Sequence, residues 1–93
     1  MAIQSFKCND TKALYETGKS KKFGNFKATA ERKLQMLDSA ATLEFLKTPP
    51  ANRLEALTRE RTGQHSIRIN DQWRVCFVWT AEGPQNVEIV DYH

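Results

Sequence analysis

The last seven residues, Val87-Glu88-Ile89-Val90-Asp91-Tyr92-His93, carry an apolar strand pattern directly into three side chains suited to proton transfer. An imidazole titrates near neutrality, a carboxylate can orient it or support its charge, and a phenol can stack or hydrogen-bond. The plainer alternative for a terminal Tyr-His is a frayed tail with no role. A second chemical group lies within residues 63–80. There Ile67 and Ile69 alternate with Ser66 and Arg68, and Trp73, Val75 and Phe77 alternate with Arg74, Cys76 and Val78. A three-residue loop, Asn70-Asp71-Gln72, sets Ile67 against Val75 and Arg68 against Arg74. The hairpin then gathers its apolar side chains on one face and two arginines on the other. Paired guanidiniums repel unless an anion joins them. Either carboxylates supply it, or the site binds phosphate, whose oxygens match the guanidinium fork.

The elements that must position these groups follow from the rest of the chain. Residues 3–8 alternate weakly and predict a first strand. Residues 11–17 predict a short helix, capped by Asn9 or Asp10 and stopped by Gly18, with Leu14 and Tyr15 inward. Residues 19–27 are basic with interleaved Phe23 and Phe26. Such a stretch is either a solvated loop with its rings tucked into the core or a nucleic-acid contact, for which Lys21 and Lys22 are candidates. A helix capped by Asn25 and running to residue 39 buries the stripe Phe26, Ala30, Leu34, Leu37 and Ala41. A short helix over 42–47 inserts Leu43 and Leu46. Pro49-Pro50 then predicts a fixed extended linker, delivering residues 52–57 to the sheet with Leu54 inward. Residues 58–63 read as a charged loop whose Arg59 and Arg61 either face solvent or flank an RNA groove. Residues 81–86 read as a loop into the final strand.

Ninety-three residues, 40% of them hydrophobic, allow one domain over 1–93 with one core. A net charge of +3 permits nucleic-acid contact without requiring it. Cys8 and Cys76 are far apart, in segments that read as strands, and lack neighbours at metal-ligand spacing. They predict free thiols rather than a zinc site. No stretch reaches membrane-spanning length and the start lacks a long apolar run, which predicts a cytoplasmic protein.

Gly63, Ser66-Ile67-Arg68-Ile69-Asn70, Gln72-Trp73-Arg74-Val75, Phe77 and the terminal Asp91-Tyr92-His93, in this order and spacing, resemble the HigB branch of the RelE/ParE toxin superfamily. The resemblance extends upstream through Ala30-Glu31-Arg32-Lys33-Leu34, Pro49-Pro50 and Asn52-Arg53-Leu54-Glu55 with Leu57, and so covers nearly the whole chain. It implies an α+β fold, with an N-terminal strand and two to three helices packed on a mostly antiparallel twisted sheet. It also implies a metal-independent, cofactor-free endoribonuclease that cuts mRNA on the ribosome. Its partner would be a helix-turn-helix antitoxin of the HigA type.

In that reaction the ribose 2′-hydroxyl attacks the adjacent phosphorus, leaving a 2′,3′-cyclic phosphate and a 5′-hydroxyl. The resemblance assigns Arg74 to the phosphorane charge and Asp91, Tyr92 and His93 to the catalytic triplet. His93 would move the proton, Asp91 orient it, and Tyr92 stack or hydrogen-bond. Arg68, Arg59, Arg61, Lys21 and Lys22 are the RNA-contact candidates. Two positions depart from a well-known HigB pattern: Glu55 replaces a histidine and Thr58 replaces a lysine. Glu55 is a further candidate base, or a surface partner of a nearby arginine. A ParE-like gyrase inhibitor and a non-catalytic RNA- or protein-binding module are the alternatives that share this fold.

Overall fold

The computed structural model describes residues 2–91. Among them, two helices, α1 (Asn9–Thr17) and α2 (Lys27–Ser39), lie on one face of an antiparallel sheet of four strands. The strands follow chain order: β1 (Glu55–Ala56), β2 (His65–Arg68), β3 (Trp73–Thr80) and β4 (Gly83–Asp91). Short 3-10 turns at Gly24–Phe26, Leu43–Lys47, Pro50–Asn52 and Arg59–Arg61 fill the connections.

The expected hairpin forms in the expected register, with Ile67 opposite Val75 and Arg68 opposite Arg74. Its loop is fixed by the Asn70 side chain, whose Oδ1 accepts from the backbone N–H groups of Gln72 (2.9 Å) and Trp73 (2.8 Å). An Asn at this position satisfies loop donors that would otherwise face water alone. Ile67, Val75, Phe77, Val87 and Ile89 project from the sheet into a core completed by Leu14, Phe23, Ala30, Leu34, Leu37 and Leu46. Burying each of these larger side chains contributes on the order of 1.5–3 kcal/mol, which is why one small sheet needs the helical layer.

Several expectations change in detail. The anticipated first strand is a single parallel bridge, Phe6 to Val87, with Lys7 N donating to Val87 O and Val87 N to Ser5 O. Pro84 has no N–H to return to this segment, and a bulge at Asn86 (φ 53°) interrupts the even spacing of β4, so a longer ladder cannot form. The turn residues expected over 81–86 instead form a two-residue hairpin connection, with Thr80 paired to Gly83, followed by that bulge. The last strand therefore begins four residues before Val87.

Helix α1 starts at Asn9 with extended Cys8 as its cap, and Cys8 lies outside the strands. Gly18 ends the helix in the left-handed region (φ 72°), as its type predicts. Buried Thr11 bonds α1 to β4 by accepting from Ile89 N at 3.0 Å. Phe26 rather than Asn25 caps α2. The helix ends at Ser39 with Ala40 extended, so Ala40 is buried and Ala41 faces solvent. Residues 43–47 form a 3-10 turn whose Thr42 hydroxyl accepts from Phe45 N. Pro50 opens a further 3-10 turn rather than extending the chain, because its fixed φ suits a first helical position. β1 has only two residues, with Leu54 half-buried and Leu57 buried.

Candidate functional site

Cross-strand partners share a face of a sheet, so the register assigns every side chain a side. Ile67, Val75 and Ile89 take the helical side. Ser66, Arg68, Arg74, Cys76 and Glu88 take the other, with Glu55 opposite Ser66 at the sheet edge. One row across all four strands thus reads Glu55, Ser66, Cys76, Glu88.

Arg74 projects beside this row. Its Nη1 is 3.0 Å from Glu55 Oε1 and 3.4 Å from Ser66 Oγ, to which it donates. Its side chain is 16% exposed and that of Glu55 47%, so a largely desolvated guanidinium meets a carboxylate that water reaches. The loop before β2 folds over the same face. From it, Arg61 Nη1 donates to Glu88 Oε1 at 2.9 Å and to Gln64 Oε1 at 3.1 Å. Lys7 Nζ approaches Glu88 at 3.9 Å. Arg68 turns toward the loop, with Nε donating to Asn70 O and Nη2 to Asp71. Arg68 and Arg74 are therefore opposite each other, each with its own carboxylate. These groups cover Cys76, and burial pushes its thiol up to about 11.

The candidate residues expected from the sequence form a wider set than this face contains. Arg74, Glu55, Arg61 and Arg68 converge on it. Arg59 lies in the same 3-10 turn as Arg61, exposed and in the left-handed region (φ 57°). Asp91 pairs with Trp73 in register, which places it on the helical side, and its Oδ2 accepts from Gln72 Nε2 at 2.9 Å. Tyr92 and His93 lie outside the described residues. Lys21 and Lys22 line a cleft in the helical layer. Glu88 and Ser66 belong to the arginine face although sequence reasoning did not single them out. Their signal was their alternation with core residues in strands that flank Arg74. His65 stacks on Phe77 on the core side, with its Nδ1 buried and unbonded. Among the described residues, no three His, Cys, Asp or Glu side chains gather as metal ligands would. Nor is any described helix long and apolar enough to cross a membrane.

A layer of two helices on an antiparallel meander, with arginines paired to carboxylates on the open face, defines a small α+β protein. A family model described as the RelE-like toxin HigB of type II toxin–antitoxin systems matches residues 4–93, and the chain belongs to that family. Over 48 residues it is 46% identical to Toxin HigB-1 of Vibrio cholerae serotype O1, a stretch covering 52% of this chain and 50% of that protein. Over 56 residues it is 35% identical to an uncharacterized protein of Haemophilus influenzae, covering 60% and 55% respectively. The chain spans about half the length of the curated relatives it matches.

Proposed function

We propose that this protein is a cytoplasmic, ribosome-dependent mRNA endoribonuclease that inhibits translation and is neutralised by a HigA-type antitoxin. The observation that carries the reading is the Arg74 guanidinium, held on the open sheet face between Glu55 and Ser66. Attack of a ribose 2′-oxygen on the adjacent phosphorus breaks the bond to the 5′ oxygen and closes a 2′,3′-cyclic phosphate. Negative charge builds on the non-bridging phosphate oxygens as the bond forms. A preorganised, partly desolvated guanidinium stabilises that charge more than water can, and its loss costs on the order of 10²–10³ in rate.

The proton leaving the 2′-hydroxyl needs an acceptor, and the 5′ oxygen needs a donor. Glu55 adjoins Arg74 and suits the first task, occupying the position where a related pattern has histidine. Tyr92 and His93, matching two of the family's terminal triplet, supply the remaining proton transfer and base contact, while Asp91, on the helical side of the sheet, anchors the strand end through Gln72 rather than touching the phosphate. Arg61, Arg68 and Arg59 would steer the phosphate backbone toward Arg74. Thr58, in place of a lysine, leaves one phosphate contact fewer, which favours an enzyme that relies on the ribosome to present its substrate.

The test is 5′-end mapping of one mRNA in a translating extract with the wild-type protein and with Arg74→Ala, and of the same mRNA without ribosomes. Cuts in phase with codons, requiring ribosomes and lost in the variant, are expected. Intact mRNA throughout would overturn the reading in favour of a gyrase inhibitor or a binding module of the same fold.

A further inference from the structure

The basic stretch after α1 does not reach the arginine face. It forms, with α1, a cleft of about 620 Å³ lined by Lys19, Lys21, Lys22 and Lys27, where Asp10 is the one carboxylate and Ala13 the one apolar side chain. Phe23 and Phe26 anchor the stretch by packing on Trp73, with ring centroids 5.7 and 5.1 Å away. Trp73 shares its side of the sheet with Val75, so the cleft belongs to the helical layer while Arg74 points the opposite way.

We propose that this cleft is a second nucleic-acid site, which grips the phosphodiester backbone of a folded RNA independently of the arginine face. The RNA-targeting function proposed above serves only to name the polyanion. The cleft's excess of cations alone matches the net charge of +3 carried by the whole chain. The remaining surface is therefore close to balanced, and the positive potential is focused here. Lys22 lies 3.9 Å from Asp10, but both side chains are more than half exposed, so the pair leaves the lysine available to a competing anion.

The chemistry of the lining selects among polyanions. Lysine offers a point charge rather than a planar fork, and suits a backbone of repeated single charges. Phe23 is fully buried with Lys22 Nζ above its ring, so it offers no platform for a stacked base. Binding should then follow charge and backbone spacing rather than sequence. A protein segment would find no large apolar or aromatic anchor among the lining side chains, the feature that dominates tight protein docking.

The experiment is fluorescence anisotropy of a labelled RNA hairpin, 2′-O-methylated at every ribose so that it cannot be cleaved, titrated with the full chain at several salt concentrations. Replacing Lys19, Lys21, Lys22 and Lys27 together by Gln should lower affinity at least about tenfold. It should also flatten the salt dependence by about 3–4 in slope, at roughly 0.7–0.9 per lysine for a hairpin with a duplex stem and a single-stranded loop. The matching Lys→Arg protein should bind as wild type, and Arg74→Ala should change the slope by no more than about 1. Wild-type affinity in the Gln protein would overturn the proposal, as would loss of binding in the Arg protein or a larger loss in Arg74→Ala. A DNA hairpin of the same sequence separates the two sources of such a backbone. Equal or weaker binding of DNA supports the proposal, and stronger binding overturns it. If the Gln protein keeps RNA but loses a purified antitoxin, the cleft docks protein and the proposal fails. Because the probe cannot be cut, absence of mRNA cleavage does not bear on this result.

Discussion

Glu55 is the side chain on which substrate binding and catalysis should part company. Its carboxylate takes the Arg74 guanidinium that a scissile phosphate would need, at 3.0 Å. An arriving phosphate oxygen that bonds Arg74 leaves Glu55 nearby, at about 5 Å for two groups sharing one guanidinium. Two like charges at that distance repel by about 0.8 kcal/mol in water and about 3 kcal/mol at the effective dielectric of a protein surface. With Glu55 47% exposed, the lower end applies, and about 1 kcal/mol corresponds to about fivefold in affinity. Glu55→Gln keeps a hydrogen bond to Arg74 but removes the charge. It should therefore bind an uncleavable 2′-O-methyl dinucleotide about five times more tightly, read by NMR titration. In the ribosome assay the same variant should cleave more slowly, because a carboxamide cannot accept the 2′ proton. Unchanged or weaker dinucleotide binding would refute the competition for Arg74. Faster cleavage would show Glu55 to be a brake rather than a base.

Other outcomes follow from buried and half-buried groups beneath this pair and elsewhere in the fold. Asn52→Ala removes the donor to buried Leu46 O (3.0 Å) and the acceptor of Lys33 Nζ; it should cost about 3 kcal/mol and lower the melting temperature by roughly 12–24 °C, with a loss under about 1 kcal/mol refuting the network. Native protein treated with iodoacetamide near pH 8 should gain an adduct at partly exposed Cys8 but none at Cys76. With the Cys76 thiol pushed up to about 11, only about one in a thousand is thiolate at that pH, and mass spectrometry before and after denaturation checks it. Burial, followed by a hydrogen bond to Asp38 and the charge of that carboxylate, raises Tyr15 from 10.0 to about 12. The folded state thus holds the phenol proton more tightly than the unfolded chain, so this stability is complete below about pH 10 and is lost as pH rises toward 12. Denaturant midpoints of Tyr15→Phe should lack that part of the alkaline decline.

Local rules were enough wherever a residue's role depends on its immediate neighbours. The three-residue loop followed from where the apolar alternation stops at Ile69 and resumes at Trp73, and it fixed Arg68 opposite Arg74. Gly18 declared the end of α1 because only a residue without a Cβ enters the left-handed region freely. The ordered motifs around Arg74, together with the terminal triplet, also pointed to the family.

What the sequence could not determine was which distant group each arginine meets. Glu55 reaches Arg74 because β1 pairs with β2 and β2 with β3, and Arg61 reaches Glu88 because a loop crosses the same face. Each contact depends on the register of elements far apart in the chain, where a shift of one residue moves a side chain to the opposite face. Asp91 shows the same effect: its register opposite Trp73 places it on the other side of the sheet from Arg74. The bulge at Asn86 and the burial of Asn52 against α2 were likewise tertiary outcomes, since local pattern marked one as loop and the other as an ordinary strand residue. Sequence determined which residues carry charge and which strands carry them, and packing of the strands decided how those charges meet.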